Sequence, residues 1–281
     1  MIKLEKVTNL LELAFYSGYI KGEPPVSALV TAPPEAGKTE MVMRFADNKG
    51  LVVLTDCTAW GIMHDYGQAI RERKVRHLVI PDLVRPISRG KDTVHSLIAF
   101  LNSLVEEGVV RISTYMEHIG VPTGKAGEET QPTPVKCGLI ATLAKDILED
   151  GRHQWSKMGF MSRLLPISYA YAVPTKVEIQ KSIAKREYQQ DSPLKLALPE
   201  DDVEIKLGAP ESEALMMLST QISSTSDRNN PQKTYGFRLQ KHVQRLAMAS
   251  ALKDKRDSVQ QKDVDLIQEL SGCINLEYYP L

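Results

Sequence analysis

The sequence predicts an α/β fold: a parallel sheet covered by helices, followed by a smaller helical unit. Three observations carry this. Short apolar, β-prone runs recur at 26–31, 50–54, 77–80, 137–143 and 164–173. Helical stretches alternate with them, as a parallel sheet requires of its crossovers. Beyond Pro174 no strand pattern returns, and helical periodicity marks 175–188, 211–224, 237–254 and 261–271.

The elements follow in order. Residues 5–20 place Leu10, Leu11, Leu13, Ala14 and Ile20 near helical spacing. VSALVT (26–31) is the first strand, and a Pro/Gly-rich loop leads from it into a helix at Lys38. GLVVL and HLVI give the second and third strands. In 93–107, Val94, Leu97, Ile98, Leu101, Leu104 and Val105 share one helical face. Residues 109–112 are β-prone, and the polar stretch 117–134 is too long for a simple connection. CGLIATL is the fourth strand, and LLPISYAYAV, disturbed by Pro166, the fifth. A Pro- and acid-rich connection, 189–212, precedes the last helices, and Gly272 is placed to stop the final one.

Composition excludes several classes. Of 281 residues, 42% are hydrophobic and 25% charged, so the chain can build a core and is not disordered. Lys+Arg and Asp+Glu both number 35, which leaves no basic coat; a nucleic-acid surface has to be a local patch or the lining of an assembly. Cys57, Cys137 and Cys273 form no CxxC, which excludes a zinc finger or disulfide framework and suits a reducing compartment. No apolar run reaches the roughly 18 residues of a membrane span, and the amphipathic start lacks a signal-peptide core. The expectation is a cytoplasmic protein with no membrane partner.

The most specific motif is Ala32-Pro33-Pro34-Glu35-Ala36-Gly37-Lys38-Thr39. A strand precedes it and a helix follows, which is the context of a phosphate-binding P-loop. Backbone N–H groups at such a turn form an anion cradle. Lys38 can reach the β- and γ-phosphates of ATP, and the Thr39 hydroxyl can ligate Mg²⁺. The nucleotide-contacting residues are thus 32–39 together with Glu40. Ala32 stands where the pattern has its first glycine, which is tolerable if that position needs no positive φ.

Hydrolysis also needs an acid at the end of a later strand. HLVI runs into Pro81-Asp82, so Asp82 is the magnesium-site candidate. Leu83 follows it, where many such enzymes have the glutamate that polarises water. Asp56, closing the second strand, is a substitute base, although an aspartate there is often a turn residue.

With these residues in place, the chain resembles the AAA+ ATPases, on the minichromosome-maintenance helicase, magnesium-chelatase and MoxR side. The resemblance is at motif level and runs, with gaps, over about 25–275. TVHSLIAFLNSLVEEGVVRIS (93–113) is similar to that group's long helix ending in a hairpin. The fourth strand sits where sensor 1 belongs, with Thr142 in the position usually held by Asn. Met161-Ser162-Arg163-Leu164-Leu165 looks like the segment carrying the arginine finger, which implies that Arg163 reaches the γ-phosphate bound by a neighbouring subunit. Arg238 falls at sensor 2 and, by the resemblance, contacts phosphate from the lid. Arg245 shares its helix face.

The resemblance implies a P-loop NTPase αβα sandwich over 1–185 and a linker with helical lid over 186–281, ATP lying between them. It implies ATP and Mg²⁺ as cofactors and a homo-oligomeric ring or spiral, hexameric or heptameric. The function expected is a DNA-associated motor, loader or clamp in replication or recombination of phage or mobile-element type. An ATP-gated DNA scaffold with little hydrolysis, a protein-remodelling ATPase and a RecA-like recombinase stay open. Lys125 and Lys136, in and beside the 117–134 loop, the basic runs 71–76 and 253–256, and Trp60 are possible nucleic-acid contacts, each weighed against an ordinary solvated or core role.

Overall fold

The computed structural model describes residues 3–109, 134–187, 192–226 and 236–274. Within them the five apolar runs become β1 (Ala28–Ala32), β2 (Leu51–Val53), β3 (His77–Ile80), β4 (Gly138–Ala144) and β5 (Leu165–Ser168). They form one sheet in the order β2-β3-β4-β1-β5, parallel throughout. In its centre Val30 of β1 lies between Thr142 of β4 and Ile167 of β5.

Helices cover both faces, as a parallel sheet demands. They are α1 (Glu5–Ser17), α2 (Lys38–Met43), α3 (Ala59–Arg71), α4 (Val84–Ile87), α5 (Lys91–Asn102), α6 (Lys145–Lys157) and α7 (Val173–Ala184), then α8 (Ala209–Ser226), α9 (Phe237–Lys253) and α10 (Gln261–Leu270). Alternation along the strands divides the core in two. Ala28, Val30, Ala32, Val79 and Ile140 face α1 and the C-terminal helices. Leu29, Leu78, Ile80, Leu139 and Ala141 face α3 and α5.

Helix α1 joins the two units. Val7, Leu10, Leu11, Leu13, Ala14, Phe15 and Tyr16 are all buried. Its Phe15 meets Phe45 at 5.0 Å and the edge of the His77 ring at 5.4 Å. The same helix packs against α9 and α10, so the C-terminal helices and the sheet share one core.

Several sequence expectations change. The fifth strand ends at Ser168 rather than 173, and Pro174, read as closing it, sits in the first turn of α7, where its missing N–H costs nothing. α3 and α6 were not foreseen. Gly61 and Gly67 mask the first; Thr58 caps it by accepting the Gly61 N–H at 3.0 Å. α6 starts immediately after β4, so no turn residue announces it. The basic run 71–76 is not a free patch, because Arg73 and the buried Arg76 pair with Asp202, the former at 2.9 Å. In 253–256, Lys253 pairs with Glu12 at 2.8 Å and Arg256 with the buried Asp263 at 2.6 Å. Lys125 and most of the 117–134 loop lie outside the described residues.

His77 opens β3 and is fully buried, its Nε2 3.2 Å from the Val26 carbonyl. Its ring fills space left by Gly138 on β4 and Gly18 after α1; a Cβ at Gly138 would overlap the imidazole. Gly138→Ala is therefore expected to cost about 1–3 kcal/mol, read as a lower unfolding temperature, with Gly18→Ala milder.

Burial lowers His77 to about 4, and burial with Arg245 nearby does the same to His242 on α9. Both are neutral when folded but take up protons on unfolding below about pH 6.5. Stability is thus expected to be level above that pH and to fall between 6.5 and 4, by up to about 1.4 kcal/mol per pH unit for each histidine. Thermal unfolding at pH 7, 6 and 5 checks this, and a flat profile would contradict it.

Candidate nucleotide-binding site

In a parallel sheet all carboxyl ends open on one edge, where α/β proteins bind ligands. Here that edge carries the 32–39 loop after β1, Pro81-Asp82 after β3, the end of β4 with Thr142, and Tyr169 and Tyr171 after β5.

The loop has an unusual backbone. Glu35 and Gly37 both have positive φ, 62° and 76°. Gly37 adopts this at no cost, whereas a non-glycine such as Glu35 is held there by its surroundings. Ala32 ends β1 within the strand and is not a positive-φ residue, so its methyl replaces a glycine without strain. Lys38 folds back, donating to the carbonyls of Ala32 at 2.9 Å and Pro33 at 2.8 Å. Burial pulls its ammonium below the ordinary lysine range, and neighbouring Asp82 opposes this.

One carbonyl ties three segments together. The Pro81 oxygen accepts the Thr39 hydroxyl at 3.2 Å and the Thr142 hydroxyl at 2.6 Å. The Leu83 N–H donates to the Thr142 carbonyl at 3.0 Å. Lys38, Thr39, Asp82 and Thr142 thus meet in one place. Asp82 is exposed and accepts the Val84 N–H at 3.0 Å. A hydroxyl and a carboxylate, completed by phosphate oxygens and water, form the hard-oxygen set that Mg²⁺ takes. Among the described residues, no group of three or more His, Cys, Asp or Glu could hold a metal by itself.

Two residues of the site went unread in the sequence. The Tyr169 and Tyr171 hydroxyls both donate to the Ala36 carbonyl, at 2.8 and 3.2 Å. Burial raises both phenols, Tyr171 to about 12, so they stay donors at any ordinary pH. The signal was the alternation in Tyr169-Ala170-Tyr171, which puts both rings on one side.

Other expected residues lie elsewhere. Asp56, beyond edge strand β2, pairs with Arg89 at 2.6 Å. Leu83, in place of the usual glutamate, is buried core. Trp60 lies on α3, 40% exposed, and stacks on His64 at 4.5 Å. Arg163 precedes β5, at the amino edge of the sheet. β1 separates that edge from the loop by about 16 Å at roughly 3.3 Å per residue. Arg238 lies there too: it hydrogen-bonds Glu106 at 2.7 Å, and Arg163 approaches the same carboxylate at 2.8 Å. Arg238 was expected to contact phosphate from the lid; within this chain its partners are Glu106 and Ser162, away from the 32–39 loop. The C-terminal helices dock through α1 and bring Arg238 to the opposite edge from Lys38. Arg245 pairs with Glu23 at 2.9 Å.

No family model matches the chain. The exodeoxyribonuclease 7 large subunit of Streptomyces coelicolor is 32% identical over 69 residues, which take in 22% of this chain and 17% of that protein. Among solved structures, a full-length MCM homologue from Methanopyrus kandleri superposes with a TM-score of 0.53 over 98% of this chain and 56% of its own, at 14% identity. That likeness is one of fold: a mixed α/β chain with an all-parallel five-stranded sheet. The chain spans little more than half the length of that structure and a small part of the curated relative. No helix among the described residues is long and apolar enough to cross a membrane.

The tyrosine clamp has a direct test. Replacing Tyr169 and Tyr171 together with Phe releases the Ala36 carbonyl, at an expected cost of about 1–2 kcal/mol. Hydrogen exchange should quicken at the amides of 36–39 while the strands stay protected.

Proposed function

We propose that the chain is an AAA+-type ATP-binding module. The observation that carries this is the meeting of Lys38, Thr39, Asp82 and Thr142 at the carboxyl edge of the sheet, around a loop with two positive-φ residues. On this reading the triphosphate lies along 33–38, and its oxygens replace the Ala32 and Pro33 carbonyls as partners of Lys38. Thr39 and Asp82 hold Mg²⁺, which supplies charge neutralisation at the phosphates. Thr142 keeps the β3 end in register with the loop. Residues 1–185 form the nucleotide-binding unit and 186–281 the linker and helical unit.

Assembly belongs to the same reading. Arg163 and Arg238 sit at the sheet edge opposite Lys38, so they serve a nucleotide only across a contact with a second copy. A head-to-tail contact of this kind closes into a ring or winds into a spiral. An action on DNA draws support from the names of the two similar proteins, an MCM homologue and an exodeoxyribonuclease subunit.

A second reading has its own support. The residue after Asp82 is a buried leucine, and Asp56 is neutralised by Arg89. A chain with no glutamate after Asp82 and with Asp56 held by Arg89 would bind ATP, assemble and hydrolyse slowly, as a nucleotide-gated scaffold on DNA.

Lys38→Ala is expected to abolish ATP binding while lowering stability by no more than about 1–2 kcal/mol, the cost of its hydrogen bonds to the Ala32 and Pro33 carbonyls. Titration with a fluorescent ATP analogue measures it, and normal binding by the variant would remove the loop from the reading. Turnover with and without single- and double-stranded DNA separates the readings: stimulation supports a motor or loader, whereas ATP-dependent DNA binding without turnover supports the scaffold.

A further inference from the structure

Helix α5 does not end as an ordinary α-helix. Its last turn, Ser103–Glu107, is π-helical, and Gly108 stops it at a φ of 89°. One extra residue in a turn rotates the side chains that follow, and such turns concentrate at functional sites. Here the rotation presents Glu106 and Glu107 to the amino edge of the sheet. The Leu104 carbonyl accepts the Cys137 N–H at 3.1 Å, tying the turn to the chain entering β4.

Glu106 divides its carboxylate between two arginines. One oxygen accepts Arg238 Nε at 2.7 Å. The other faces Arg163 Nε at 2.8 Å, but the N–H is not aligned with it, so this contact is an ion pair without a formed hydrogen bond. Burial pushes Glu106 up, and Arg238, Arg163 and Lys241 outweigh it, holding the carboxyl below the usual range. Arg163 also spends one terminal nitrogen on the Gly159 carbonyl at 3.0 Å and the other on Glu107 at 2.5 Å. Arg238 gives a terminal nitrogen to Ser162 Oγ at 2.9 Å. Lys136, Lys241 and Arg245 line the same small cavity.

From this geometry we infer that Glu106 is the positioning residue of the proposed nucleotide site: a single carboxylate holds Arg163 of the sheet unit and Arg238 of the helical unit side by side for the phosphates bound by a second copy. The inference rests on the function proposed above. Two guanidinium groups converging on one anion repel each other, and a carboxylate between their Nε atoms offsets that repulsion. Contact at Nε also orients the planar groups, so that a phosphate oxygen would have to displace a terminal-nitrogen contact such as that of Arg163 with Glu107. Glu107, the more exposed carboxylate, holds the terminal nitrogen that a phosphate oxygen would take over.

The test mixes full-length chains. Alone, Glu106→Gln is expected to bind the ATP analogue normally but to lower kcat about tenfold, with KM little changed. Lys38→Ala, alone, is inactive but keeps an intact arginine pair. Mixing equal amounts should restore turnover to about a quarter of wild type, the share of head-to-tail contacts that join an intact loop to an intact pair. ATP-dependent assembly, read by sedimentation on the same mixtures, should recover in parallel. Arg163→Ala mixed with Lys38→Ala is the control for the underlying reading. If that control recovers while Glu106→Gln alone turns over at the wild-type rate, or is slow and unrescued, Glu106 has no positioning role and the reading stands. If the control fails to recover, or the wild-type chain neither assembles nor turns over with ATP, the reading falls and the inference with it. Should Glu106→Gln not fold, Glu106→Asp takes its place: the shortened carboxylate reaches one arginine only, and an intermediate kcat rescued by mixing is expected.

Discussion

The direction of the sheet governs everything else in this molecule. With five strands pointing the same way, one edge collects every carboxyl end and the other every amino end. The loop with Lys38, the Asp82 carboxylate and the Tyr169/Tyr171 clamp follow strands and so share the first edge. Arg163 precedes a strand and belongs to the second. No rotamer bridges that separation. The 32–39 loop and the Arg163–Arg238 pair therefore lie at opposite ends of the strands.

Helix α1 transmits that arrangement to the C-terminal helices. It is buried against the sheet through Phe15, which meets His77 of β3, and it packs against α9. Because α9 docks there, Arg238 near its start arrives beside Glu106 rather than above the 32–39 loop. The 192–207 segment adds a strap between the units: Leu194 donates to the Arg44 carbonyl at 2.7 Å and Val203 to the Tyr19 carbonyl at 2.8 Å, while Lys206 donates to the Asp257 carbonyl at 2.8 Å. The two arginines are therefore placed by the fold on either side of one carboxylate.

Legibility in the sequence tracked how local each signal is. The strands were readable because apolar runs between turn residues report their own burial, and 77–80 matches β3 residue for residue. The 32–39 loop was readable because strand, glycine and lysine are adjacent in the chain. α3 and α6 were not, since two glycines and the lack of a connecting loop remove the usual punctuation. The tyrosine clamp and the contacts of Glu106 were hidden for another reason. Each is a contact over a long sequence distance, Tyr169 to Ala36 and Glu106 to Arg238, and periodicity holds no information about such pairs. The neighbours of Arg238 were not legible either, because the docking of α9 depends on α1 at the other end of the chain.

The seat of the His77 ring sets a rule for sequence variation. A ring at 77 and hydrogen atoms at 18 and 138 are one object in three pieces, since added carbon at either glycine meets the imidazole. Drift at these positions has to be concerted: a chain that gains a methyl at 138 must first shed the ring at 77, leaving the Val26 carbonyl to find another donor. In an alignment of close relatives, 18, 77 and 138 should therefore change together or not at all, although 18 and 138 lie 120 residues apart in the chain.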